Sequence, residues 1–322
     1  MSRIVHLGLG AFHRAHQAVY TADAGGDWEI CGVAWRSRAV VDALRAAGGR
    51  YRLIERGPVE DRERQIGIIT ETLVAQEEPD AVVQRLADPD TRVVTITITE
   101  GGYDGPMMEL LARGLGARGG EPIAVLSCDN VAANGEVTRR AVGGGATFVS
   151  TVADRITPAS DDPLTVITEP FSLWIIERFD GDRPAWERAG ALIVDDTGPY
   201  ELMKLRLVNA SHSALAHLGI PRGHKTVADA IADPELRDFV ERLIAEELRP
   251  TLAPVPEIDL DGFVAQMFER FANPRIRHRL QQIATGAEHK IPLRFVAPAR
   301  ELRAAGRDPV LIERVIAAAG VS

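Results

Sequence analysis

Hydrophobic and polar positions alternate in two different ways along the chain. Up to about residue 196, short apolar runs are separated by amphipathic stretches. RIVHLGLG reads as a buried strand entering a glycine turn, and AFHRAHQAVYTADA as the helix that follows it. WEICGVAW, YRLIER, QIGIITETLVA, RVVTITIT, PIAVLSC, TFVSTVA and TVITEPFSLWIIE read as further strands. SRAVVDALRAAGG, DAVVQRLADP, MMELLARGL and NGEVTRRAV read as the helices between them. RVVTITIT is β-branched and apolar throughout, which fits a strand covered on both faces. Strand–helix alternation of this kind predicts an α/β fold with a doubly wound parallel sheet over residues 1–196.

From residue 197 the period becomes helical. YELMKLRLVNASHSALAHLG, TVADAIAD, PELRDFVERLIAEELRPTL, LDGFVAQMFERFAN, PRIRHRLQQIATG and PVLIERVIAAAG all carry it, punctuated by acidic, small or proline residues. DDTGP at 195–199 marks the expected boundary, and residues 197–322 form a mostly α-helical domain. LAPVPEIDLDG is a short connector between helices. The chain shows no internal repeat and no low-complexity segment.

Composition narrows the classes. A length of 322 residues with 45% hydrophobic positions fits two domains with sizeable cores. The net charge of −9 argues against a nucleic-acid partner, which would want a basic face. Cys31 and Cys128 lie in strand-like runs and read as buried reduced thiols of a cytoplasmic protein. No Cys/His cluster suggests a metal site. No leader pattern opens the chain, and no apolar run would span a bilayer, so no membrane role is expected.

Candidate chemistry begins at the glycine turn. GLGAFHRAH follows the first strand, and Gly8 and Gly10 would allow a tight turn and a close pyrophosphate approach. The third glycine of the usual fingerprint is replaced by His13. Arg14 either pairs with a phosphate or is a solvated helix residue. The second strand normally ends near an acidic residue for the adenosine ribose. Here it runs into AWRSR, and Arg36, Ser37 and Arg38 suit a 2′-phosphate or are plain surface charges. The first alternative favours NADP over NAD.

KLRLVNASHSALAHLG (204–219) poses the second question. With about 100° per residue on an α-helix, Lys204, Asn209 and His212 fall at about 0°, 140° and 80°. They can share one face, so either the stripe is solvated or it lines a cleft between the domains. Carbonyl reduction needs a proton donor, donors aimed at the developing oxyanion, and a hold on the substrate. A lysine, an asparagine amide and a histidine can supply these.

GLGAFHRAHQ, TITEGGYDG, LSCDNVAANG, VADRITP and KLRLVNASHSALAHLG, taken in order, resemble the polyol-specific long-chain dehydrogenases, the family of mannitol 2-dehydrogenases and fructuronate (mannonate) reductases. The resemblance runs from about residue 3 to residue 298. It implies a Rossmann-like sheet domain, a helical second domain, and metal-independent hydride transfer with NAD or NADP. It further implies Lys204 as general acid/base, Asn130 and Asn209 as oxyanion donors, Asp154 as an active-site acid, and His212 and Lys290 as substrate contacts. Phe12 and Glu100, within the matching motifs, join Gly8, Gly10, Arg14, Arg36 and Ser37 as expected cofactor contacts. Asp154 has a structural alternative, pairing with Arg155.

The chain departs from the family in several places. It is short, compressed after GGYDGPMMELL and abbreviated after Pro298. T-G-A-E-H stands before Lys290, and Gln282 occupies a position where mannitol dehydrogenases tend to carry arginine. Gln282 looks more like the fructuronate reductases, and Arg294 would then meet a substrate carboxylate. The expected function is therefore an NAD(P)-dependent oxidoreductase of a linear polyol or sugar acid, monomeric or a small homo-oligomer. The alternative is a shortened relative that binds nucleotide or sugar acid as a sensor or scaffold.

Overall fold

The computed structural model describes residues 1–320, the side chain of Glu100 excepted. The chain divides into two compact units, Met1–Arg56 with Glu60–Thr197, and Gly57–Val59 with the residues from Gly198 on.

The first unit contains the strands β1 (Ser2–Leu7), β2 (Trp28–Ala34), β3 (Tyr51–Arg56), β4 (Asp61–Ile66), β5 (Ile69–Val74) and β6 (Thr91–Ile96). After them come β7 (Ala124–Ser127), β8 (Thr147–Val149), β9 (Thr151–Asp154), β10 (Thr165–Thr168), β11 (Leu173–Glu177) and β12 (Leu192–Val194). Six of them form one sheet in the order β5-β2-β1-β6-β7-β8, with every neighbouring pair parallel. This is the doubly wound order, and it changes direction between β1 and β6. Apolar side chains cover both faces. Ile4, Ile30 and Val93 pack into one core, while Val5, Val33 and Val94 pack into the other. Two three-stranded sheets, β10-β3-β4 and β12-β11-β9, complete the unit.

The helices of this unit are α1 (Ala11–Ala15), α2 (Gln17–Ala24), α3 (Arg38–Ala46), α4 (Pro79–Ala87), α5 (Pro106–Ala117) and α6 (Asn134–Val142). The single helix expected over AFHRAHQAVYTADA is broken at His16, whose backbone leaves the helical region at φ −122°, ψ −89°. Arg155 Nη1 donates to the Ala15 carbonyl at 2.5 Å, and His16 Nε2 lies 2.8 Å from the Leu173 carbonyl. Both contacts hold polar groups outside the helical ladder. TFVSTVA also divides, with β8 in the main sheet and β9 in a smaller one. β4 was hidden in DRERQI, whose charges suit an exposed hairpin strand better than a core strand.

The second unit is helical: α7 (Gly198–Met203), α8 (Ala210–Gly219), α9 (Val227–Ala232), α10 (Pro234–Arg242), α11 (Leu260–Phe271), α12 (Leu280–Ala284), α13 (Ala287–Ile291), α14 (Ala297–Ala304) and α15 (Val310–Ala319). Among the described residues, the segments Lys204–Asn209, Leu243–Leu248 and Pro292–Val296 are π-helical. The last of these joins α13 to α14, giving a near-continuous helix that Gly286 and Pro292 obscure in the sequence. Among the described residues, no helix is long and apolar enough to cross a membrane.

Candidate active site

The glycine turn sits where the sheet order reverses. Gly8 has φ +108°, and a Cβ there would stand 2.0 Å from the Thr97 carbonyl oxygen, so only glycine fits. The turn is held from beneath by His6, the one polar side chain in the buried part of β1. Its Nε2 lies 3.1 Å from the Gly8 carbonyl and 3.0 Å from Thr97 Oγ1, and its Nδ1 lies 2.8 Å from Thr95 Oγ1. A carbonyl only accepts, so Nε2 carries the proton and Nδ1 accepts from Thr95. Thr97 Oγ1 donates to the same Gly8 carbonyl at 2.9 Å. His13, at the third glycine position, stacks on His6 with ring centroids 3.4 Å apart. Burial lowers the His6 pKa to about 3, and burial with the charges of neighbouring groups holds His13 well below its ordinary value. Both rings are neutral.

The other nucleotide-side candidates divide. Gly10 leaves the outer side of the turn open, since a Cβ there would meet only the Gly8 carbonyl, at 3.6 Å. That is the cradle a pyrophosphate would need. Arg14 does not offer its charge outward. It is 5% exposed, with Nε on the Gly10 carbonyl and Nη1 on the Pro163 carbonyl, over the Tyr51 ring. It braces the turn from inside, and this geometry disfavours the expected phosphate contact. Phe12 packs on the core and stacks with His16. At the end of β2, Arg36 and Ser37 are exposed, and Ser37 makes no capping bond to α3, while Arg38 is paired with Glu77 at 2.9 Å. No acidic side chain follows that strand until Asp42.

Three more candidates follow strand ends. Glu100 opens the short turn Glu100–Gly102 after β6, and its side chain lies outside the described residues. Asn130 is exposed, three residues beyond the end of β7. Asp154 is the last residue of β9, opposite Leu173. Arg155 is buried and donates to Glu55 Oε1 at 2.6 Å and to the Glu169 carbonyl at 3.0 Å.

In the helical unit the Lys–Asn–His stripe is not an ideal α-helix. Residues Lys204–Asn209 form a π turn. An i→i+5 closure returns Asn209 toward the face of Lys204, whereas α geometry would place it about 140° away. Lys204 is 8% exposed. The turn is fixed from behind by Arg206, buried and donating to Glu301 at 2.5 Å and to the Thr251 carbonyl at 2.6 Å. His212 is also 8% exposed, stacked on Phe271 with centroids 4.2 Å apart, and its Nε2 has no hydrogen-bond partner. Burial first, then the charges of His278, Arg270, Arg294 and Lys204, hold His212 well below the ordinary histidine pKa. It is a neutral imidazole with an open nitrogen.

Arg294 lies on a second π turn, Pro292–Val296, packed against the first. Its Nη1 donates to the Asn209 carbonyl at 3.1 Å and to Ser213 Oγ at 2.7 Å, and burial alone lowers its pKa to about 10. No carboxylate among the described residues compensates it, which suits an anionic ligand. Lys290 donates to the carbonyls of Ile283 and Thr285, at 3.2 and 2.5 Å, capping α12. Lys204, Asn209, His212 and Arg294 are thus brought together, and Lys290 stands at the end of a neighbouring helix.

Sequence reasoning passed over His6, Thr97, Tyr103 and Asp129. The signal for His6 was a lone polar residue inside an otherwise apolar strand. Asp129 stood in plain view beside Asn130.

Residues 2–188 match the family model of the mannitol dehydrogenase Rossmann domain, and residues 196–320 that of the mannitol dehydrogenase C-terminal domain. The chain is 34% identical to the D-mannonate oxidoreductase of Escherichia coli, covering 93% of this chain and 75% of that one. That alignment runs over 365 positions, more than the 322 residues here, so the relative carries internal segments that this chain lacks. The Pseudomonas fluorescens mannitol 2-dehydrogenase, solved as a ternary complex with NAD and D-mannitol, superposes with a TM-score of 0.88 at 33% identity, over 98% of this chain and 78% of that one. A substrate-free D-sorbitol dehydrogenase superposes with a TM-score of 0.91 at 30% identity, over 98% and 79%.

Proposed function

The chain belongs to the mannitol dehydrogenase family, and from that premise we propose that it interconverts a secondary alcohol of a linear polyol or aldonate with the matching ketose or keto-sugar acid, using NAD or NADP. The bound nicotinamide would supply the hydride acceptor in oxidation and the donor in reduction. Lys204 takes the hydroxyl proton in oxidation and returns it in reduction. The amides of Asn209 and Asn130 donate to the substrate oxygen as its charge changes, with Asp154 as a further active-site acid. His212, neutral, offers Nε2 to a substrate hydroxyl. Arg294 pairs with a carboxylate, so sugar acids suit the site better than neutral polyols, and Lys290 contributes a second cation.

Gly8, Gly10 and Phe12 form the nucleotide side, with Arg14 behind the turn. Arg36 and Ser37 receive a 2′-phosphate, so NADP is accepted at least as well as NAD. One observation carries the reading: a buried lysine on a π turn, with an asparagine one turn on and a buried imidazole nitrogen left open beside them. A sensor or scaffold that turns nothing over has no chemical need for this set, and nothing in the structure favours it.

The test is turnover followed by nicotinamide absorbance, with a panel of polyols and aldonates and both cofactors. Lys204→Ala should lower kcat by about 10³-fold or more while reduced-cofactor binding persists. Near-normal turnover in the folded variant would remove Lys204 from the chemistry.

A further inference from the structure

The turn after β6 holds a conformation that its sequence resists. Thr99 has φ +68°, in the left-handed region, although threonine is branched at Cβ. Such a backbone costs about 1–3 kcal/mol and persists only where its surroundings over-determine it. The surroundings here converge on one carboxylate. Asp129 Oδ1 accepts from the Thr99 amide at 2.9 Å, and Oδ2 accepts from the Ile98 amide at 3.1 Å and the Tyr103 hydroxyl at 3.0 Å. Tyr103 also lies 2.6 Å from Ser127 Oγ, and burial followed by the nearby Asp129 charge pushes its phenol pKa up, so it stays a donor.

The backbone of Asp129 is held separately. Asn134 Nδ2 donates to the Asp129 carbonyl at 2.9 Å and to the Thr151 carbonyl at 2.8 Å, and its Oδ1 accepts from the Thr151 amide at 3.0 Å. The carbonyl of the peptide joining Asp129 to Asn130 is therefore held, and the same asparagine ties it to the first residue of β9, the strand that ends at Asp154.

We propose that Asp129 is a positioning residue of the reaction: it clamps the strained turn after β6 and sets the place of Asn130, its neighbour in the chain. The proposal rests on the reading of Asn130 as a donor to the substrate oxygen. Asp129 itself need touch neither substrate nor cofactor. An asparagine cannot stand in for it, because its NH₂ would face the Ile98 or Thr99 N–H, donor against donor.

The test uses the full chain with Asp129→Asn, and with Tyr103→Phe as the milder variant that removes one oxygen. Hydrogen exchange over residues 97–103 is measured without ligand, alongside steady-state kinetics and reduced-cofactor binding. In Asp129→Asn the segment should exchange about tenfold faster while β1 is unchanged. Its kcat should fall about 10- to 100-fold, with KM and cofactor Kd within about threefold. Tyr103→Phe should move both readouts the same way by less. Wild-type exchange, unchanged kcat, or a loss confined to KM in a folded Asp129→Asn protein overturns the proposal. Should that variant fail to fold, unchanged exchange and kcat in Tyr103→Phe overturn it instead. A wild-type protein inert toward every polyol and aldonate would sink the functional reading, and the exchange result would still judge the clamp.

Discussion

The polar side chains that hold the glycine turn of the sheet unit and those beside Lys204 in the helical unit are treated differently. In the sheet unit the groups that hold the glycine turn are bonded to one another: His6 to Thr95 and the Gly8 carbonyl, Thr97 to that same carbonyl, and Arg14 to two further carbonyls; the His13 ring nitrogens and the Gln17 amide beside them are buried without a partner. Beside Lys204 in the helical unit, two are left open. His212 keeps an unpartnered nitrogen, and among the described residues no carboxylate pairs with Arg294. Burying groups in that state costs stability, and the cost is recovered when a ligand supplies the missing partners. The His6–Thr97 junction holds a shape, and the His212–Arg294 group holds unmet chemistry.

Substitutions should separate the two behaviours. The largest expected effect is on the shape. Gly8→Ala places a Cβ against the Thr97 carbonyl at a positive φ and should destabilise the protein by more than about 3 kcal/mol, read by chemical denaturation. Wild-type stability and cofactor affinity in that variant would mean the turn is less constrained than its geometry says. A smaller effect, confined to chemistry, is expected from Arg294→Ala. Its kcat/KM should fall about 10- to 100-fold further for aldonates than for neutral polyols, because the aldonates lose a charge-assisted pair while both classes feel the released Asn209 carbonyl. Equal losses for both substrate classes would take the carboxylate away from Arg294.

The smallest effect is graded with pH. His6, His13 and His212 have folded pKa values below their unfolded value of about 6.5. Their contribution is therefore fully present above about pH 6.5 and is lost as pH falls toward the His6 value of about 3. Each imidazole that stays neutral costs about 1.4 kcal/mol of stability per pH unit in that window. His217 in the helical unit is lowered by burial as well, so His6 and His13 stand against His212 and His217, and both units should lose exchange protection as pH falls. Protection that stays flat between about pH 6.5 and 5 would contradict the assigned protonation states.

The same contrast governs what could be read without coordinates. The alternation of β-branched runs and amphipathic helices gave away the parallel sheet, because both faces of it are buried. DRERQI concealed a strand because an exposed hairpin edge carries no apolar period. The Lys204 helix was legible as a helix and its residues as a set, but a π turn leaves no mark on composition, so its angular arrangement was misjudged. Arg14 read as a phosphate partner or a solvated residue and Arg155 as half of a surface pair, because arginine is usually exposed. Their burial depends on carbonyls more than a hundred residues away, those of Pro163 and Ala15 respectively. Asp129 escaped notice because its partners, Ile98, Thr99 and Tyr103, belong to another loop.

The junction under the glycine turn contains an imidazole, two hydroxyls and a carbonyl, and no ion pair. Dissolved ions weaken attraction between exposed charges such as Arg38 and Glu77, but they have nothing to screen inside a buried set of neutral dipoles. The glycine turn should therefore keep its shape across ionic strengths that loosen the protein's periphery.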